Sequence, residues 1–322
     1  MSVTILIVYV AGTADMLDVC LASLKRHPGG IPYKVRIITK ASKISCQISD
    51  KNDLMAFAKY GASDDYAEAM NVASCYENIE VWSYEIGYTL TGSEMHGKLL
   101  DKAVYDVDTE YVLTMDSDCF PVADNWLQYF MELHRLGAEI TGILWPWIPP
   151  PANLNKNTIE YRVRKNHCWN NTQVVCQLVK KSFVIQNGLL FNSGDDTGFS
   201  LCEFAHSKDL LVTGLKPTRC ALPKGNLDPE MNRHVCVVYG DMIYHQGGST
   251  RKKQGASVDP LGYYDEARER VFREKGAEWI LKDENSYRYR FDKEEDVAQF
   301  KMNAMFAEMK KYLETHDTLF DQ

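Results

Sequence analysis

A short apolar run that stops on two carboxylates constrains this chain more than any other feature. Glu110 to Pro121 reads Glu-Tyr-Val-Leu-Thr-Met-Asp-Ser-Asp-Cys-Phe-Pro. Tyr111 to Met115 is rich in strand-forming residues, as a buried strand requires. It ends abruptly at Asp116-Ser117-Asp118. Carboxylates at i and i+2 share one side of an extended chain, and here they stand at the strand's carboxyl end, where open α/β sheets bind their ligands. Such a pair is a hard oxygen donor set suited to Mg²⁺ or Mn²⁺, ions that commonly reach enzymes together with substrate phosphates. The same residues also suit a solvated turn. The rest of the chain has to decide between the two.

The segments before this strand alternate between two periodicities. Thr4 to Val10 is continuous and β-branched, the pattern of a strand buried on both faces. After Ala11-Gly12-Thr13, apolar residues at Leu17, Cys20, Leu21 and Leu24 recur at helical spacing until His27-Pro28-Gly29-Gly30 breaks the run. Tyr33 to Ile38 and Asn78 to Trp82 are further strands, residues 41 to 75 hold only weak helical patches, and Gly97 to Val107 is a helix leading to the central strand. Beyond it, Trp126 to Leu136 has helical periodicity and Ala138 to Leu144 is strand-like. No regular element is evident over residues 152 to 182. Strands alternating with helices imply a mostly parallel sheet with right-handed crossovers.

Size and charge narrow the class. With 322 residues the chain can bury a full core, as one large or two closely packed domains. A net charge of -8 argues against a protein that coats nucleic acid or anionic membrane. Nine cysteines without a Cys-x-x-Cys pair fit reduced thiols and a cytoplasmic location better than a disulfide framework or a zinc site. The apolar opening is too short to span a bilayer and lacks a basic leader. Neither a Gly-x-Gly-x-x-Gly after the first strand nor a Gly-x-x-x-x-Gly-Lys-Ser/Thr is present, so any bound phosphate needs a metal or side chains.

Three later stretches carry candidate chemistry. Trp145-Pro146-Trp147-Ile148-Pro149-Pro150-Pro151 is a stiff aromatic loop, either a wall of the core or a platform on which an acceptor ring stacks. Asp195-Asp196-Thr197-Gly198 precedes a helix, Phe199 to Ser207. Helix capping accounts for one of these carboxylates; the other suits a general base held at a helix start. Met242 to His245 is a short strand ending on a histidine, followed by Gln246-Gly247-Gly248-Ser249-Thr250-Arg251. The glycines allow close passage to a ligand and the cations from Arg251 onward could neutralise phosphate. Asp292 to His316 is an amphipathic helix suited to packing or to a homo-oligomer contact.

Taken in this order, the Asp-Ser-Asp strand end, the central Asp-Asp-Thr-Gly and the late His-Gln-Gly-Gly-Ser-Thr-Arg resemble the GT-A glycosyltransferases, particularly family 2-like members, over roughly Val3 to Arg251. The resemblance implies a Rossmann-like α/β fold with a mostly parallel central sheet flanked by helices. It implies a GT-A domain over 1–255, with a nucleotide-sugar half at 1–120 and an acceptor half at 121–255, and a charged helical extension at 256–322. It further implies a DXD motif in which Asp118 ligates Mn²⁺ or Mg²⁺, Asp116 stands nearer the sugar and His245 completes the coordination. Val10, Ala11, Gly12, Thr39, Lys98, Asp101, Asp116, Ser117 and Arg251 are then expected to hold a UDP- or GDP-sugar. Asp196, or else Asp195, is expected to act as the base. Trp145 and Trp147 are expected to face a carbohydrate or small hydroxylated acceptor. The activity implied is hexosyl or pentosyl transfer with inversion. Three rivals remain at this point: a nucleotidyltransferase acting on a sugar phosphate, a glycosyltransferase acting on hydroxylated bases of viral DNA, and a non-catalytic sugar-nucleotide-binding module.

Overall fold

The computed structural model describes residues 2–41, 65–86, 92–145, 171–192, 196–221, 235–247 and 266–289. Among them a seven-stranded sheet runs β3-β2-β1-β4-β7-β6-β8. Its strands are β1 (Val3–Val8), β2 (Tyr33–Lys40), β3 (Ile79–Tyr84), β4 (Tyr111–Asp116), β6 (Ala138–Leu144), β7 (Thr172–Lys180) and β8 (Leu211–Leu215). The pairs β3/β2, β2/β1, β1/β4 and β6/β8 are parallel, whereas β7 runs antiparallel to both β4 and β6. The sheet is therefore mostly parallel and flanked by helices, as the sequence leads one to expect. From β1 the chain moves outward through β2 and β3, then returns to place β4 on the opposite side of β1. That reversal makes a topological switch point at the carboxyl ends of β1 and β4, the place where doubly wound sheets take ligands.

Residue parity along each strand decides which face a side chain serves. Val3, Ile5 and Ile7 of β1, with Tyr111, Leu113 and Met115 of β4, enter one core. That core includes helix α1 (Ala14–Arg26), α2 (Asp65–Ala73) and α4 (Trp126–Arg135). Leu6 and Val8 of β1 and Val112 of β4 enter the other, with α3 (Gly92–Asp106), α5 (Lys181–Gln186) and α6 (Phe199–Ser207). Asp116 has the parity of Val112, so it emerges on the α3 face.

A second, antiparallel sheet runs β12-β9-β10-β11-β5, from β5 (Cys119–Pro121), β9 (Pro217–Ala221), β10 (Val237–Tyr239), β11 (Ile243–His245) and β12 (Ser286–Arg288). Helix α7 (Glu266–Lys275) packs behind it: the Phe272 ring lies 5.3 Å from Phe120 and 4.9 Å from Tyr244. Residues 266–289 thus lie against the second sheet and supply one of its strands.

The absence of regular structure expected over 152–182 is corrected at its carboxyl end, where β7 is a buried central strand and α5 follows. Its apolar pattern is interrupted by Thr172, Gln173 and Gln177, all buried. The side-chain N–H groups of both glutamines are used inside the sheet, Gln177 Nε2 donating to Thr172 Oγ1 at 2.7 Å and Gln173 Nε2 to Leu144 O at 3.1 Å. The helix expected at Asp292 to His316 lies outside the described residues. No disulfide joins the cysteines among the described residues, and no helix among them is long and apolar enough to cross a membrane.

Candidate metal and sugar-nucleotide site

The Asp-Ser-Asp stretch bridges the two sheets. Asp116 is the last residue of β4, in parallel register with Val8 at the end of β1. Three residues later β5 begins and pairs antiparallel with β11, setting Cys119 opposite His245. The amide of Gln246 donates to the carbonyl of Asp118 at 2.9 Å, which fixes the turn against the end of β11. Residues 127 positions apart in the chain are thereby held together by a three-residue strand pair: His245 Nε2 lies 3.8 Å from Asp118 Oδ1, and both side chains are buried.

Asp116, Asp118 and His245 each offer one ligand atom, and these atoms lie within 4.8 Å of one another. Two atoms of the group, Asp116 Oδ1 and His245 Nδ1, are buried without a hydrogen-bond partner. Buried polar groups are normally satisfied, so orphaned acceptors beside a second carboxylate fit a divalent cation. Burial, then the neighbouring Asp118 carboxylate, push the Asp116 carboxyl up to about 7, with His245 opposing the shift. A cation placed among these groups would reverse that cost, because a positive charge favours both ionised carboxylates.

Helix α3 adds a residue that the sequence reading missed. His96 Nε2 lies 3.5 Å from Asp116 Oδ1. Burial drives this imidazole down to about 4, against the pull of the Asp196 and Asp118 carboxylates. His96 is therefore neutral at pH 7 and stands within the field of Asp196. The only signal for it was its position beside Gly97, a glycine inside a helix. A Cβ at Gly97 would meet Asn192 Cα at 2.7 Å, so the helix backbone lies directly on the loop that leads to Asp196. Thr197 Oγ1 donates to Ser93 O at 2.8 Å, and the Asp101 carboxylate accepts the amides of Phe191 and Asn192.

The other expected site residues fall as follows. Val10, Ala11 and Gly12 form the turn after β1, with Gly12 at φ 78°. Its amide donates to Glu68 Oε2 at 2.9 Å, and Glu68 also accepts the Tyr9 hydroxyl. Glu68 lies on α2, where nothing in the sequence marks it. Thr39 is buried near the end of β2, its hydroxyl donating to Trp82 O at 3.3 Å. Ser117 is buried between the two aspartates. Lys98 pairs with Glu94 along α3 at 3.2 Å. Asp196 is exposed, with Oδ1 accepting the Thr197 amide at 2.8 Å. Trp145 follows β6, its amide donating to Asn171 O at 2.8 Å. Asp195, Trp147 and Arg251 lie outside the described residues.

No protein-family model matches this chain, and no curated protein matches it. Solved structures similar to it include S. aureus TarS, at 16% identity and a TM-score of 0.38 over 67% of this chain. The match spans 35% of that TarS chain, about a third of its length. TarS 1-349 in complex with UDP matches at 12% identity and a TM-score of 0.40, covering 96% of this chain and 81% of that one. TarS 1-349 in complex with UDP-GlcNAc matches at 14% identity and 0.38, covering 88% and 77%.

Proposed function

We propose that this chain is a metal-dependent glycosyltransferase that moves a sugar from a nucleoside-diphosphate sugar to an acceptor hydroxyl with inversion. The observation that carries this reading is the convergence of Asp116, Asp118 and His245 at the switch point between β1 and β4. Two carboxylates and an imidazole are a donor set for Mn²⁺ or Mg²⁺. When bound, the cation supplies Lewis-acid stabilisation of the charge that grows on the departing diphosphate.

The chain's own residues account for the rest. Asp118 and His245 would hold the cation, with Asp116 beside them nearer the sugar. The β1 turn at Val10 to Gly12 and the end of β2 at Thr39 share the carboxyl edge of the sheet with the aspartates, which suits them to hold the nucleoside. Lys98 and Asp101 belong to the helix that would enter the donor site, and Arg251 is the cation that would meet the phosphate. Asp196 receives the proton of the attacking hydroxyl, with Asp195 as its neighbour in that role. Asp196 is exposed, so a base there is open to an acceptor, and its neighbour Thr197 is hydrogen-bonded to Ser93 of α3. Trp145, and Trp147 beyond it, would present aromatic faces to a carbohydrate or small hydroxylated acceptor.

Incubation with Mn²⁺ and each common sugar nucleotide or nucleoside triphosphate tests the reading. Release of nucleoside diphosphate from one sugar nucleotide is expected. Release of pyrophosphate from a triphosphate would make the chain a nucleotidyltransferase, and no release in any arm would reduce it to a binding module. Trp145→Ala should weaken acceptor use while sparing hydrolysis of the sugar nucleotide by water; equal loss of both would return Trp145 to the core wall.

A further inference from the structure

We propose that His96 is a positioning residue of the cation site: its ring holds the Asp116 carboxylate in the orientation that ligation needs and links it to the loop bearing Asp196. This inference rests on the cation-site reading above. Parity along β4 puts Asp116 on the α3 face, and His96 is the α3 residue that meets it, Nε2 to Oδ1 at 3.5 Å. Oδ1 has no hydrogen-bond donor as it stands, and a shift of a few tenths of an ångström would bring the ring within hydrogen-bond distance. The ligand atoms of Asp116, Asp118 and His245 cluster within 4.8 Å without His96, which leaves the ring beside one member of that set. Carboxylates that bind metals are themselves oriented by hydrogen-bond donors, and loss of such a partner commonly costs affinity.

The helix that carries His96 has little freedom to move. Its Gly97 lies against the backbone of Asn192, its Ser93 carbonyl accepts the Thr197 hydroxyl, and its Asp101 accepts the amides of Phe191 and Asn192. These contacts bracket His96 on both sides along the helix. They bind α3 to Phe191, Asn192 and Thr197, and Thr197 is the neighbour of Asp196. A donor mounted this way can set the angle of a carboxylate without being consumed in the reaction. An imidazole placed here only to fill space would affect folding and leave cation affinity alone.

Mn²⁺ binding to the full chain, followed by the loss of its free-ion EPR signal, separates these roles. His96→Leu should weaken Mn²⁺ binding by roughly 10–100-fold while the metal-free protein melts near the wild-type temperature. His96→Gln, whose side-chain amide can reach Asp116 as the ring's Nε2 does, should recover most of that loss; His96→Asn, one carbon shorter, should not. If His96→Leu fails to fold, the Gln and Asn variants carry the comparison, and equal affinity in those two overturns the proposal. Wild-type affinity in His96→Leu overturns it as well. Absence of Mn²⁺ binding by the wild-type protein overturns the cation-site reading and this inference with it, so the two failures are distinguishable.

Discussion

Asp118 is buried and its carbonyl is held by Gln246, so its side chain can be removed without releasing the turn. Asp118→Ala should lower turnover by about 10²–10³-fold, the scale of losing one charge-stabilising group, with an unchanged circular dichroism spectrum. Full activity of that variant in EDTA would contradict a metal role. A second residue, remote from the candidate site, sets an acid limit on stability. His134 is buried in α4 against Leu178 O, and burial lowers it to about 4 from 6.5. A histidine depressed in the folded state is protonated first in the unfolded chain, so its stabilisation is present above pH 6.5 and lost as pH falls toward 4. His134→Gln should therefore reduce the difference in unfolding free energy between pH 7 and 4.5 by about 2–3 kcal/mol; an unchanged difference would mean that the ring is not held neutral. Asp116, Asp118 and His245 were legible in the sequence because each ends an apolar strand or follows one closely. His96 and Glu68 were not, since each is a single polar residue on a helix whose partner is set by tertiary packing.

At the scale of elements, α3 packs closely on Asn192 and Thr197. Gly97→Ala gains about 1 kcal/mol of helix propensity, yet its Cβ would approach the Cα and amide nitrogen of Asn192 to 2.7 and 2.9 Å. Backbone cannot step aside as a flexible side chain can, and overpacking of this kind costs about 1–3 kcal/mol. The variant should unfold at lower urea concentration than wild type; equal or greater stability would show that the loop yields. The parallel half of the sheet was readable because β1 and β4 are largely apolar runs and β2 carries Val35, Ile37 and Ile38. Strand β7 hid because its glutamines look like surface residues until their partners, Thr172 and the Leu144 carbonyl, are known. Strand β11 was readable as the short run ending on His245, but its partners β5 and β10 have three residues each, too few for periodicity to appear. They are defined by pairing, and pairing is what carries His245 to Asp118.

The whole molecule sets Asp118 and His245 against a small sheet backed by a late helix. Phe272 is buried between Phe120, Tyr244 and Trp279. Phe272→Ala should cost about 3–5 kcal/mol and weaken Mn²⁺ binding, because Phe120 and Tyr244 flank Asp118 and His245 in sequence; a stability loss with intact Mn²⁺ affinity would separate α7 from the site. Net charge acts at the same scale. At -8 the chain favours a neutral acceptor, whose affinity should change little between 50 and 200 mM salt, whereas a DNA acceptor demands a steep loss over about that range. The most direct test of the site is anomalous diffraction from crystals grown with Mn²⁺ and a nucleoside diphosphate. The expected result is one manganese peak roughly 2.0–2.4 Å from an Asp118 oxygen and a His245 ring nitrogen. Manganese bound elsewhere, with Asp118 and His245 both unliganded, would contradict it.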